Sequence, residues 1–396
     1  MRLLILNHVT HRSGGEVLLL RWCQLLDKTR YEIFVALPSA EGMLPEALGR
    51  IPGVQVQVLP VDPELVALKR ANAVGMLAQR PALALHFCAA VLSHARLIRR
   101  AKPDLVLTNS LKSHFYGSLA AWLARRPVVW CVHDVVDSDY FPAWSRRSLG
   151  LLARLLARRL VCVSQAVRAS FERVGLPAER LTVVYPPPMA AADVPLGAAA
   201  SLSAELALPA RARLVTLVGR IAPPKGQLLF VQAAVRVLAA RKDTVFLIVG
   251  ESLYGDYDHD YKRQVQEAIA ALPEAGQIQL LGARPDVRRI LDASDVVVFP
   301  SLLPEGLGLA VVEALELGRP VVATTLGGTV ELANDGQAIW RVAPGDVAGL
   351  AGAILTLLES PARARALGAA GQQHVRRLVC MDNLAAFEAV LEHACR

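Results

Sequence analysis

The sequence predicts an α/β protein of two doubly wound, Rossmann-like parallel-sheet domains facing a cleft. Three observations carry that expectation. Short apolar runs of strand length alternate with helical segments along nearly the whole chain. The alternation stops in an Ala- and Pro-rich stretch, residues 188–211, and starts again at Leu214. At 396 residues the chain is long for one domain and comfortable for two. The expected division is 1–187 for the first domain, 188–211 for a linker and 212–379 for the second. Helix 380–396 is expected to pack back on the first.

In the first half, Leu3–Leu6 reads as the opening strand, so residues 1–7 are not taken for a signal peptide. Ser13-Gly14-Gly15 then turns into a helix that Glu16 opens. Such a turn either approaches a phosphate or an acceptor closely or is an ordinary βα connection. Strands are predicted at 31–37, 54–59, 105–108, 127–132, 160–163 and 181–184, with helices over 64–77, 81–100 and 109–124. His133-Asp134 ends the fourth of these strands. A histidine at a strand's C-terminal end stands where α/β sheets hold ligands. Lys112 and His114 follow another strand end and are candidates for the acceptor side. Residues 150–159 are amphipathic and basic. They read either as a membrane-surface helix or as a sheet-covering helix with a solvated arginine face, and the second reading is preferred.

The second half places strands at 214–218, 244–249, 277–281 and 296–299, each followed by a helical segment. Its most informative stretch is Phe299 to Thr325: strand, loop, helix, strand, with Glu305 in the loop, Glu313 in the helix, and Gly306 and Gly308 between them. A glycine-rich turn entering a helix presents N–H groups to an anion. An acid on either side suits a sugar–diphosphate–nucleoside, with the amides of Gly306, Leu307, Gly308 and Leu309 on the phosphates. Arg220 and Lys225 follow a strand inside a Gly- and Pro-punctuated loop, as a diphosphate clamp would. An acid pair alone also fits hydrolysis through a general acid and a nucleophile. The neighbouring cations favour a phosphate leaving group.

Six motifs in order resemble the family 4 retaining glycosyltransferases of the GT-B fold. They are Gly219-Arg220 with Lys225-Gly226, Gly282-x-Arg284-x-Asp286, Pro300-Ser301, Glu305-x7-Glu313-Ala314, Gly318-x-Pro320-Val321-Val322-Ala323 and Gly327-Gly328-x-x-Glu331. The first half matches more loosely, through Ser13-Gly14-Gly15, His133-Asp134 and Ser164. The resemblance implies Arg220 and Lys225 on the donor diphosphate, Glu305 on the donor sugar, Glu313 on the ribose and the backbone near Arg284 beside the base. It implies His133 reaching the sugar and Gly15 at the diphosphate side; Gly14, next to it, is a candidate for the acceptor side with Lys112 and His114. It implies retention of anomeric configuration without a protein nucleophile, an NDP-sugar as co-substrate, and no metal. Leu307 stands where the family usually has Phe, and Ile339-Trp340 where it has smaller residues.

Charge and cysteines bound the rest. The net charge is +8, but residues 1–187 hold 24 Lys+Arg against 13 Asp+Glu, so +11, which leaves −3 for the remainder. That excess suits an anionic or lipid-linked acceptor and peripheral contact with the inner face of a membrane, unless arginine is simply the default surface residue here. Nucleic acid is not expected, because the basic residues are not interleaved with aromatics. No run of 18 uncharged apolar residues occurs, so no membrane span is expected. Six dispersed cysteines without a Cys-x-x-Cys pair read as reduced, mostly buried thiols in a cytoplasm. Asp256-x-Asp258 has the form of a metal–diphosphate site but reads as a loop outside any ligand set. The expected reaction is transfer of a sugar from an NDP-sugar to an acceptor hydroxyl in polysaccharide, glycolipid or other glycoconjugate biosynthesis. A soluble small-molecule acceptor, or an NDP-sugar epimerase on the same fold, is the alternative.

Overall fold

The computed structural model describes residues 1–11, 13–62, 64–65, 80–136, 141–189, 198–209, 211–253 and 255–396. They form two compact units: residues 1–187 with 380–396, and residues 188–379.

The first unit runs β1 (Arg2–Leu6), α1 (Gly14–Leu25), β2 (Glu32–Leu37), α2 (Met43–Gly49), β3 (Val54–Val58), α3 (Pro81–Ala101), β4 (Leu105–Thr108), α4 (Leu111–Leu123), β5 (Val128–Val132), α5 (Ala143–Leu156), β6 (Arg159–Cys162), α6 (Gln165–Arg173) and β7 (Leu181–Val183). Its seven strands are ordered β3-β2-β1-β4-β5-β6-β7, all parallel. Strands buried on both faces need apolar residues throughout, which is why Leu3–Leu6 and Val128–Val132 are unbroken runs. Ser13 and Glu16 cap α1 reciprocally.

The second unit runs α7 (Ala198–Glu205), β8 (Arg213–Val218), α8 (Gln227–Ala240), β9 (Thr244–Val249), α9 (Gly255–Ala270), β10 (Ile278–Gly282), α10 (Val287–Ala293), β11 (Val296–Phe299), α11 (Leu309–Glu316), β12 (Val321–Ala323), α12 (Thr329–Leu332), β13 (Trp340–Arg341), α13 (Val347–Glu359) and α14 (Pro361–Leu378). Its six strands are parallel in the order β10-β9-β8-β11-β12-β13. Phe230, Phe246, Val265 and Ile354 are fully buried in its main core. The chain then returns to the first unit as α15 (Asp382–Cys395), where Phe387 stacks on Trp22 with ring centroids 4.3 Å apart.

Each sheet has a point where strand order reverses: β1 beside β4 in the first, β8 beside β11 in the second. The crevice beyond the carboxyl ends at such a point is where doubly wound sheets bind ligands. Asn7 and Asn109 follow β1 and β4; Arg220 and Glu305 follow β8 and β11.

Several expectations are corrected. Part of the expected linker is α7, which buries Leu202 in the second unit. The segment holding Asp256 and Asp258 is not a loop but the start of α9. Among the described residues α3 is long and apolar enough to cross a membrane. It lies along α4 instead, with His94 buried and its ring tilted against Tyr116, centroids 4.5 Å apart. Only three of the six cysteines are buried, Cys23, Cys131 and Cys162, and Cys88 is exposed. The helix expected over 64–77 falls largely outside the described residues.

Candidate functional site

In the second unit, β8 ends in Gly219-Arg220, and a tight turn at Pro223–Lys225 leads to Gly226, which caps α8 in the left-handed region at φ 72°. A Cβ there would stand 2.2 Å from the Pro300 carbonyl oxygen, so only glycine lets this loop lie against the end of β11. That approach sets the central pair. Lys225 Nζ donates to both Glu305 oxygens, at 2.6 and 2.7 Å, and Ser301 Oγ donates to Oε1 at 2.6 Å. Burial alone would raise the Glu305 carboxyl. The Lys225 charge, the hydrogen bonds from Lys225 and Ser301, and the charge of Arg220 outweigh it and hold the group below its ordinary value.

The acid loop is pinned to the turn before α12 through main-chain atoms. Glu305 forms a parallel bridge with Gly327, and the Gly328 N–H donates to the Glu305 carbonyl at 2.8 Å. A Cβ on Gly328 would meet the Gly306 carbonyl oxygen at 2.0 Å. The Gly327-Gly328 pair therefore serves close backbone packing behind the acid. Leu307 is buried, and Gly308 starts α11 at φ 84°. The first N–H groups of a helix have no partner within it, so the turn entered by Leu309 presents donors. Glu313 is buried on the same helix, which ends at Glu316.

Arg220 is anchored by a residue set aside in the sequence reading. Its Nη1 donates to Asp258 Oδ2 at 2.7 Å, and the Asp258 side chain is almost wholly buried. Gln227 Nε2 donates to the Arg220 carbonyl at 2.9 Å. Among the described residues no group of three or more His, Cys, Asp or Glu could hold a metal ion. Arg284 is engaged structurally: it pairs with Asp286 at 2.8 Å and with Glu205 of α7 at 2.7 Å. Of this residue, only the backbone is left for the role the sequence assigned.

In the first unit the strand-end network is built of amides around an imidazole. Asn109 Nδ2 donates to Asn7 Oδ1 at 3.2 Å and to the Gly15 carbonyl at 3.3 Å. This orientation turns Asn109 Oδ1 toward His133, whose Nε2 donates to it at 2.9 Å. A Cβ on Gly15 would stand 3.1 Å from His133 Cδ2, so Gly15 lets the start of α1 lie against the ring; Gly14 is the first residue of that helix. Buried Glu16 sits below, its carboxyl raised by burial against hydrogen bonds from Ser13 and Asn7. Asn7 and Asn109 were missed by sequence reasoning. The available signal was a polar residue directly after a fully apolar strand.

His114 is a correction. It is buried, its Nδ1 hydrogen-bonds Thr108 Oγ1 at 2.7 Å and its ring stacks on Trp130 at 4.5 Å. Burial pushes its pKa down to about 3, so it is a neutral core residue and does not face an acceptor. Lys112 is half-buried in the first turn of α4.

Two doubly wound units, one with cations and an acid at its switch point, define the GT-B class of nucleotide-sugar proteins. The model of glycosyl transferases group 1 matches residues 212–360, and that of Glycosyltransferase Family 4 matches residues 12–187. The chain belongs to the family 4 glycosyltransferases. Among its relatives is UDP-Gal:alpha-D-GlcNAc-diphosphoundecaprenol alpha-1,3-galactosyltransferase of Escherichia coli, 30% identical over 60% of this chain and 62% of the relative. Another is D-inositol 3-phosphate glycosyltransferase of Thermobispora bispora, 28% identical over 87% of this chain and 81% of the relative. The first three curated relatives are matched over only 62%, 40% and 37% of their own lengths. HepE of Anabaena, solved in complex with UDP and glucose, has a TM-score of 0.80 at 25% identity and covers 98% of both chains.

Proposed function

We propose that this chain is a retaining glycosyltransferase that moves a sugar from an NDP-sugar to the hydroxyl of an acceptor, in the assembly of a glycoconjugate. The observation that carries this is the Lys225–Glu305 pair beside Arg220 at the switch point of the second sheet. Its two cations suit a diphosphate leaving group, and its acid suits sugar hydroxyls. Lys225 and Arg220 take the phosphate charge that grows as the C1–O bond breaks. The acceptor oxygen bonds to C1 on the same face, and its proton passes to the departing phosphate oxygen. Glu305 holds the sugar, Glu313 the ribose and the amides from Gly306 to Leu309 the phosphates. His133 is assigned to the donor sugar and Gly15 to the diphosphate. No metal is required, since the cations already supply the positive charge.

For the acceptor we propose a lipid-linked glycan at the inner face of a cytoplasmic membrane. The relative from Escherichia coli carries a diphosphoundecaprenol-linked acceptor in its name, and the basic first half suits an anionic partner. Thermal stabilisation across UDP-, GDP-, ADP- and dTDP-sugars identifies the donor. Transfer is then assayed with a polyprenyl-diphosphate sugar, with and without chelator. Transfer to the lipid, unchanged by chelator, is the expected result. Conversion of the donor to an epimer without acceptor would sink the transferase reading. Loss with chelator restored by Mn²⁺ would overturn the metal-independent one.

A further inference from the structure

The outward face of α5 is unlike that of an ordinary sheet-covering helix. Toward the sheet it turns Ser145, Leu149, Gly150 and Ala153, small residues apart from one leucine. Gly150 lies so close to the end of α6 that a Cβ would stand 2.7 Å from the Val174 carbonyl oxygen. The large apolar side chains point to solvent instead: Trp144 is 39% exposed, Leu151 58% and Leu155 70%. Their spacing of seven and four residues puts them on one stripe, with exposed Arg147 and Arg154 alongside. No Asp or Glu occurs from residue 143 to 159.

We propose that this face is an interfacial docking surface for an anionic phospholipid bilayer. Leucines and tryptophan enter the headgroup boundary, and the arginines stay level with the phosphates. The proposal rests on the lipid-linked acceptor reading for its purpose, and on the residues of α5 for its chemistry. A second copy of the chain is a poorer occupant, because a two-fold contact would set Arg147 and Arg154 against themselves with no acid on the helix to answer them. The direction of the helix agrees. It follows β5, so its Trp144 end lies toward the sheet edge that carries His133.

The test is co-sedimentation of the full chain with phosphatidylcholine vesicles and with vesicles of equal parts phosphatidylcholine and phosphatidylglycerol. The proposal expects binding to the second and little to the first. Arg147→Gln with Arg154→Gln should weaken it about fivefold per arginine. Leu151→Ser with Leu155→Ser should weaken it about tenfold or more. Stabilisation by NDP-sugar should be unchanged in both pairs, which confirms their fold. Equal sedimentation of wild type and both variants would overturn the proposal. So would a dimer that the leucine variant abolishes, with no vesicle binding by the wild type. Vesicle binding without any NDP-sugar binding would sink the transferase reading and support this surface.

Discussion

The two switch points are built on one plan and filled with opposite chemistry. In the first unit, Asn7, Asn109, Gly15 and His133 form a hydrogen-bonded network of neutral amides around one imidazole. In the second, Arg220–Asp258 and Lys225–Glu305 are two ion pairs. Net charge runs the other way, since residues 1–187 are strongly basic and the rest slightly acidic. Bulk charge and site charge therefore report different things. The first concerns surfaces that meet partners. The second concerns a few cations, each held by an acid at a strand end.

The largest effect expected from this contrast is at Lys225. Lys225→Ala should lower turnover about 100-fold or more, the scale for losing one preorganised charge at a leaving group. Near-normal turnover in steady-state kinetics would erase the distinction between the two switch points. Asp258→Asn comes next. It should lower kcat/KM about tenfold through a misplaced Arg220 and cost about 1–2 kcal/mol in denaturant unfolding. Normal kinetics with the same loss of stability would reduce the pair to structure.

Other positions make smaller predictions. His114→Leu should leave acceptor KM unchanged and cost about 1–3 kcal/mol, because the Thr108 hydroxyl loses its buried partner. A raised acceptor KM would return His114 to the acceptor side. The charged site contributes to the pH dependence of folding. The Glu305 carboxyl is held below its unfolded value, so its contribution is complete above that value, about 4.3, and is lost as pH falls through the folded pKa. Melting temperature should therefore fall less on acidification in Glu305→Gln than in wild type; equal falls would show the pair to be uncoupled from stability. The smallest effect is at Gly15. Gly15→Ala should shift the His133 ring by a few tenths of an ångström and lower turnover severalfold, with stability changed by roughly 0.5 kcal/mol. Unchanged turnover would mean that the close approach to the ring is only packing.

The alternation of two periods made both sheets legible, because strands covered on two faces must be apolar and helices covered on one face cannot be. The cation loop and the acid loop were legible separately. Their pairing was not, since 80 residues separate Lys225 from Glu305 and only strand order brings them together. His114 was misread for the same reason. Thr108 and Trp130 become neighbours through the β4–β5 register, and the histidine settles against both. Helix α7 was hidden because its alanines carry almost no periodicity, with Leu202 as its buried anchor. The start of α9 looked like a loop because Gly255 and the polar run Asp256 to Asp260 lack an apolar stripe.

The bridge between Glu305 and Gly327 has a consequence for how such a protein diversifies. The acid-bearing ribbon is stitched to its neighbour through main-chain atoms, and any side chain on Gly328 would strike the Gly306 carbonyl oxygen. Its path cannot drift without dismantling the stitching. Divergence in this chain's descendants should therefore accumulate in the side chains beside the ribbon while its course is inherited intact.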